Sequence, residues 1–256
     1  MSGTTEHVAF ARGFELEHLD GSTWPKPPDA LMAKMLVLVA HTANEAIPAG
    51  TGFLISGDGK FVTAAHVASR LKELVSEVRG EPVAVKALLP SAAGGGAVLV
   101  RKLWTNPEDD DQRTDVTVGI LSSSTNAPLR PAFEVAYEQL VVGEKIMVLG
   151  FASMSHRTDS DETSAFVLDV ELKGVVTAIT ALHADGYTNL RGPVFEMATS
   201  MDPGMSGGPI IRAATGEVVG VCSYGSDAPG LEPYSFGSLL RPEGIQQVRW
   251  DEPAPQ

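Results

Sequence analysis

The chain has a single cysteine, Cys222, among 256 residues. No disulfide can close within it, and the fold has to hold by its core alone. That scarcity suits a reducing compartment, and a cytoplasmic location is expected. Basic residues are also few: 19 Lys and Arg against 32 Asp and Glu leave a formal net charge of −13. Broad contact with a phosphate backbone needs clustered cations to displace condensed counterions, which excludes nucleic acid as a partner. No apolar run approaches the roughly twenty residues that span a bilayer, so no membrane is expected either. The stretch Leu31–Ala40 is interrupted by Lys34 and preceded by Glu6, Glu15, Glu17, Asp20 and Asp29, the reverse of the positive region that opens a secretory leader. Nowhere do His, Cys, Asp and Glu take metal-ligand spacing, so neither a metal nor a cofactor is expected. Internal repeats are lacking as well.

What is present is an apolar share of 43%, enough for a packed core, and a succession of short β-rich runs. Met35–Ala40 (within a strand read as Leu31–His41), Thr51–Ser56, Lys60–Thr63, Pro82–Leu89, Ala97–Leu103 and Asp115–Leu121 are bounded by Gly, Pro, Asn and Asp. An all-β barrel reads this way. One helix interrupts them: Val67, Leu71, Leu74, Val75 and Val78 keep helical spacing up to a stop at Gly80, with His66 just ahead of it. Ser122–Pro131 reads as a linker. Lys145–Phe151, Ala165–Ile179, Pro193–Ala198, Pro209–Arg212, Glu217–Tyr224 and Tyr234–Leu239 then form a second set, followed by a short terminal helix over Pro242–Trp250. The expected organisation is an extension over residues 1–30 lying across the rest, an N-terminal β-barrel over 31–125, and a C-terminal β-barrel with its helix over 126–256. Glu108–Asp111, Asp159–Glu162 and Gly94–Gly96 read as loop tips.

Three fragments carry chemistry. Thr63-Ala64-Ala65-His66 ends a small strand in an imidazole, Asp115 opens the apolar run Asp115–Leu121, and Gly204-Met205-Ser206-Gly207-Gly208-Pro209 sets a serine among glycines. Alone, each has a bland reading: a structural histidine, a strand end, a turn. Together they supply a base, an acid and a nucleophile, 49 and 91 residues apart, which only a fold can unite. A serine hydroxyl is a weak nucleophile at neutral pH, so His66 would take its proton while Asp115 holds the ring. The backbone N–H groups of Gly204 and Ser206 would meet the developing oxyanion. Asp109, Asp110 and Asp111 are rival acids, but none opens an apolar strand. His7, His18, His41, His156 and His183 lie in the extension, in loops or at a strand end and read as structural.

From Lys34 to Trp250 the sequence resembles the chymotrypsin-like serine peptidases, above all the disulfide-free bacterial type, through its TAAH, DVTVGIL and GMSGGP segments. The resemblance implies an all-β fold of two antiparallel six-stranded β-barrels with the site between them. It also implies that Ser223, Tyr224 and Gly225 pair with an extended substrate backbone, that Ser223 hydrogen-bonds Asp115, and that Ser200, Met201, Cys222 and Gly225 line the specificity pocket. No carboxylate stands where trypsin-like members select Arg or Lys, and no histidine replaces Cys222 as in glutamate-selective ones, so a small or medium apolar P1 residue is expected. Met205 stands where an aspartate would pair with a newly cleaved N-terminus, which puts that mode of activation in doubt. The expected partner is a protein or peptide substrate, with room for a regulatory protein partner. Two other readings stay open: a catalytically silent peptide-binding protein of the same fold, and an esterase using the same triad.

Overall fold

The computed structural model describes residues 9–18, 28–42, 46–77, 83–90, 96–104, 114–122, 130–158, 166–226, 234–242 and 245. Two elements precede the barrels, β1 (Ala9–His18) and α1 (Pro28–Met32). The first barrel comprises β2 (Met35–His41), β3 (Ala46–Leu54), β4 (Lys60–Thr63), β5 (Ala84–Leu89), β6 (Gly96–Trp104) and β7 (Thr117–Leu121), with α2 (Ala65–Glu77) between β4 and β5. Its strands close in the order β2-β3-β4-β7-β6-β5, every pairing antiparallel.

Burial explains why this half reads so clearly. β2 is buried at every position from Met35 to Ala40, the continuous pattern of a strand covered on both faces. The helix α2 lies against β2, β3 and β5 and buries Ala65, Val67, Ala68, Leu71 and Leu74. Each such leucine contributes about 1.5–3 kcal/mol. Phe61 faces Gly119 across β4 and β7, and a Cβ at Gly119 would stand 2.3 Å from the Phe61 ring. The ring therefore lies over bare backbone and fills the barrel from one side.

The second barrel comprises β8 (Lys145–Thr158), β9 (Phe166–His183), β12 (Val194–Met197), β13 (Pro209–Arg212), β14 (Val218–Ser226) and β15 (Tyr234–Leu239); the hairpin β10 (Gly186–Tyr187) and β11 (Leu190–Arg191) is inserted after β9. It runs β9-β12-β15-β14-β13-β8 and closes where β8 pairs with β9. Phe195 repeats the first barrel's device: it lies opposite Gly237, with a Cβ there 2.5 Å from its ring and one on Gly220 2.7 Å away. Residues 130–136 stitch the halves together. The Arg130 and Phe133 amides donate to Gly57 and Leu54 of the first barrel, and the Ala136 amide donates to Val218 of the second.

The two six-stranded antiparallel barrels agree with expectation, and several details correct it. The N-terminal extension contains β1, which runs parallel to β9 from Ala9 opposite Val167 to His18 opposite Val176. A strand of this kind is stabilised by its neighbour, not by its own pattern. Leu31 belongs to α1 and not to the first barrel strand, in keeping with Pro28 at a helix start. His66 is the second residue of α2 instead of the residue before it. Asp115 precedes β7 by two residues. Of the terminal helix, only Pro242 and Ile245 are described, and Ile245 is buried in the core. The acidic stretches Glu108–Asp111 and Asp159–Glu162 lie outside the described residues, as do most of the linker and Gly94–Gly95. Among the described residues no helix is long and apolar enough to cross a membrane.

Candidate active site

His66 and Asp115 are brought together by the first barrel. Thr117 of β7 pairs with Thr63 of β4, which sets the residues just before β7 beside the first turn of α2. The Asp115 carboxylate then makes two bonds to one residue. Its Oδ1 accepts the backbone N–H of His66 at 3.0 Å, and its Oδ2 lies 2.8 Å from His66 Nδ1. The first amides of a helix have no partner within it, so the carboxylate satisfies one of them while holding the ring. Facing an ionised carboxylate, which can only accept, Nδ1 carries the proton, and in the neutral ring Nε2 is then the acceptor. Asp115 is 12% exposed and His66 47% exposed: the acid is shielded and the base opens on solvent.

The second barrel contributes the serine turn. Gly204 and Gly207 adopt φ of +99° and +85°, a region glycine enters without the penalty of a Cβ. At Gly207 the space is closed as well, because a Cβ would stand 2.1 Å from the Thr51 carbonyl and 2.3 Å from Thr63 Oγ1. The turn is pinned to the first barrel by Thr51. Its amide donates to the Ser206 carbonyl at 2.9 Å and its hydroxyl donates to the Gly204 carbonyl at 2.8 Å. The same hydroxyl accepts the Phe151 amide at 2.9 Å. Among the described residues, neither the Gly204 nor the Ser206 amide donates to a backbone carbonyl.

His66, Asp115 and Ser206 open on one cleft of about 670 Å³ between the barrels. Met201, Ser223, Tyr224 and Gly225 line it, and Ser200 is not among its lining residues. Cys222 is a correction. It is fully buried, its thiol lies 3.8 Å from the Leu149 carbonyl, and burial pushes its pKa up. It packs in the core of the second barrel with Val148, Met197, Ile210 and Val219 and does not line the cleft. Ser223 is a second correction: its hydroxyl is 2.8 Å from Ser238 Oγ and 3.4 Å from the Val221 carbonyl instead of bonding Asp115. It sits at a shift of register between Cys222 and Tyr224, the kind of bulge that re-aims side chains near a site.

Sequence reasoning missed Thr51, Asp202 and the β10–β11 hairpin, whose Leu190 and Arg191, with Asn189, line the cleft. The signals were present. Thr51 stands between Gly50 and Gly52, and the hairpin between Gly186 and Gly192, but a short glycine-bounded run does not announce what it approaches. Asp109, Asp110 and Asp111 lie outside the described residues. Of the other histidines, His183 packs against Tyr187 with the rings tilted and their centroids 4.6 Å apart, and it does not line the cleft. Among the described residues no three His, Cys, Asp or Glu side chains are grouped to hold a metal ion.

Residues 50–221 match the family model described as the trypsin-like peptidase domain. No curated protein matches the chain. Among solved structures, a variant of the HtrA-type protease AlgW with a tripeptide is 14% identical with a TM-score of 0.55, over 87% of this chain and 63% of that one. The chain thus spans under two thirds of that protein. The Rv3671c protease from M. tuberculosis in its active form is 18% identical with a TM-score of 0.54, over 100% and 93% of the two chains. Neuropsin, a serine protease expressed in the limbic system of mouse brain, is 16% identical with a TM-score of 0.54, over 84% and 92%. At these identities the likeness is one of fold.

Proposed function

Because the chain belongs to the trypsin-like peptidase family, we propose that it is a serine endopeptidase cleaving protein or peptide substrates through Ser206, His66 and Asp115. Ser206 Oγ attacks the scissile carbonyl carbon and its proton passes to His66 Nε2. The tetrahedral oxygen is met by the amides of Gly204 and Ser206, and losing one such donor costs about 3 kcal/mol of transition-state stabilisation. Collapse breaks the C–N bond, the leaving amine takes the proton from His66, and the acyl group stays on Ser206. Water then attacks the acyl carbon, giving its proton to His66, and the acid departs as Ser206 recovers its own. Asp115 steadies the imidazolium throughout without being protonated. The observation that carries this reading is the two-point bond from Asp115 to His66, with Nε2 left as acceptor on the cleft that Ser206 lines.

An extended substrate would add as a strand beside Ser223, Tyr224 and Gly225, gaining main-chain bonds that ignore side-chain identity. For the P1 side chain we favour a small apolar residue. A Cβ at Gly225 would stand 3.1 Å from the Met201 nitrogen and 3.3 Å from its carbonyl oxygen, so the walls offered by these two residues nearly meet.

Active-site labelling with a fluorophosphonate tests the proposal: wild type is expected to be modified at Ser206, and Ser206→Ala not at all. Equal labelling of the variant would overturn the assignment of the nucleophile. Fragments from an unbiased peptide library are expected to end in small apolar residues; a basic or acidic preference would refute the P1 reading, and turnover of esters alone would favour an esterase.

A further inference from the structure

The oxyanion turn lacks the acidic residue that a free N-terminus could grip, since Met205 occupies that place. Met205 is fully buried. It rests on Gly150 of β8, where a Cβ would come within 2.6 Å of it. The turn itself is closed by the Met205 amide donating to the Asp202 carbonyl at 3.1 Å and the Gly208 amide donating to the Met205 carbonyl at 2.9 Å. Together with the Thr51 hydroxyl on the Gly204 carbonyl, this apolar plug and the two turn bonds hold the loop from Gly204 onward, but none of them grips the Asp202 side chain at its leading edge.

One charged contact does. Lys173 of β9 lies directly opposite Gly150, and cross-strand partners project on the same face of a sheet. From there its Nζ reaches Asp202 Oδ2 at 2.9 Å. The lysine side chain is only 14% exposed and the aspartate 41%. Gly150, which has no side chain, leaves its own face to Met205. The pair spans from the wall of the second barrel to a residue two places before Gly204.

Resting on the peptidase reading, we propose that Lys173 is a positioning residue: by holding Asp202 it sets the register of residues 202–206, so that the Gly204 and Ser206 amides face the cleft. An internal lysine thus anchors the loop in a chain whose Met205 carries no charge to pair with a free N-terminus. An ion pair with one partner this open to water adds little to global stability, so its removal should be felt in catalysis more than in unfolding.

The test compares wild type with Lys173→Met, Lys173→Arg, Asp202→Asn and the Lys173→Met/Asp202→Asn double variant. Lys173→Met is expected to lower kcat and the fluorophosphonate labelling rate about 10- to 100-fold, short of the roughly 100- to 1,000-fold cost of losing an oxyanion donor outright. KM should move less than about twofold, the signature of an interaction made in the transition state, and Tm should be nearly unchanged. Lys173→Arg should restore most of the rate, and the double variant should be no worse than either single one, as expected of one shared contact. Unchanged kcat in Lys173→Met, or losses that simply add, would overturn the proposal. Amide NMR of Gly204 and Ser206 decides the point even in an inert protein: their resonances should shift or broaden in Lys173→Met and return in Lys173→Arg, and unmoved resonances would refute it. Wild type that fails to label at Ser206 while those resonances behave as expected would instead sink the peptidase reading and leave the anchor standing.

Discussion

The two barrels share a packing device and differ in what they bring to the cleft. In each, a phenylalanine lies over glycine backbone, Phe61 over Gly119 in one and Phe195 over Gly220 and Gly237 in the other. In the first barrel the working groups sit on or beside regular elements. His66 is in the opening turn of α2, Asp115 is two residues ahead of β7, and the pair is bonded twice within the barrel. The second barrel presents its serine on a turn with two left-handed glycines, held by Thr51 from across the cleft, by Met205 beneath and by Lys173 at its leading edge. His66 is therefore held by its own half of the molecule. Ser206 and its turn are held by both halves.

That contrast can be broken at graded cost. The largest effect should come from Asp115→Asn, which keeps the shape but leaves Nδ1 facing a group that no longer enforces its tautomer. A drop of about 10⁴-fold in kcat is expected, and a loss under tenfold would mean that Asp115 is not the orienting acid. Next comes a pair of core truncations. Leu71→Ala on α2 and Met205→Ala under the turn should each cost about 2–5 kcal/mol by urea unfolding. Only Met205→Ala should also depress kcat in the fraction that stays folded; equal kcat in both variants would erase the distinction between the two halves. The smallest change is Thr51→Val, which is nearly isosteric but strips the hydroxyl from the Gly204 carbonyl and the Phe151 amide. About 1–3 kcal/mol of stability should be lost, with a fall in kcat that Leu71→Ala does not show. A Thr51→Val variant with wild-type kcat would mean that the turn does not depend on the first barrel.

Legibility followed the same division. β4, β13 and β15 begin and end where the sequence places them, because each is a short apolar run closed off by turn residues. β3 starts at Ala46, ahead of the expected Thr51, because its pairing with β2 extends through Ile47 and Pro48. β1 went unread, since a parallel strand laid on β9 draws its stability from a partner more than 150 residues away. Cys222 was read as facing the pocket and faces the barrel. A strand sequence alternates, but which of its two faces turns inward is decided by the register at the Cys222–Tyr224 bulge.

From its residues alone this chain settles that it forms strands of barrel length and the helix that begins around His66, and that it carries a hydroxyl, an imidazole and a carboxylate in a telling order. Period, turn chemistry and the steric freedom of glycine act over a few neighbours and leave their mark locally. The folded chain decides the rest: that Asp115 both holds the ring and caps α2, that Thr51 bridges the barrels, and that Lys173 reaches Asp202. Those contacts join residues tens to more than a hundred positions apart, and their existence depends on strand register and barrel closure, which no local pattern encodes.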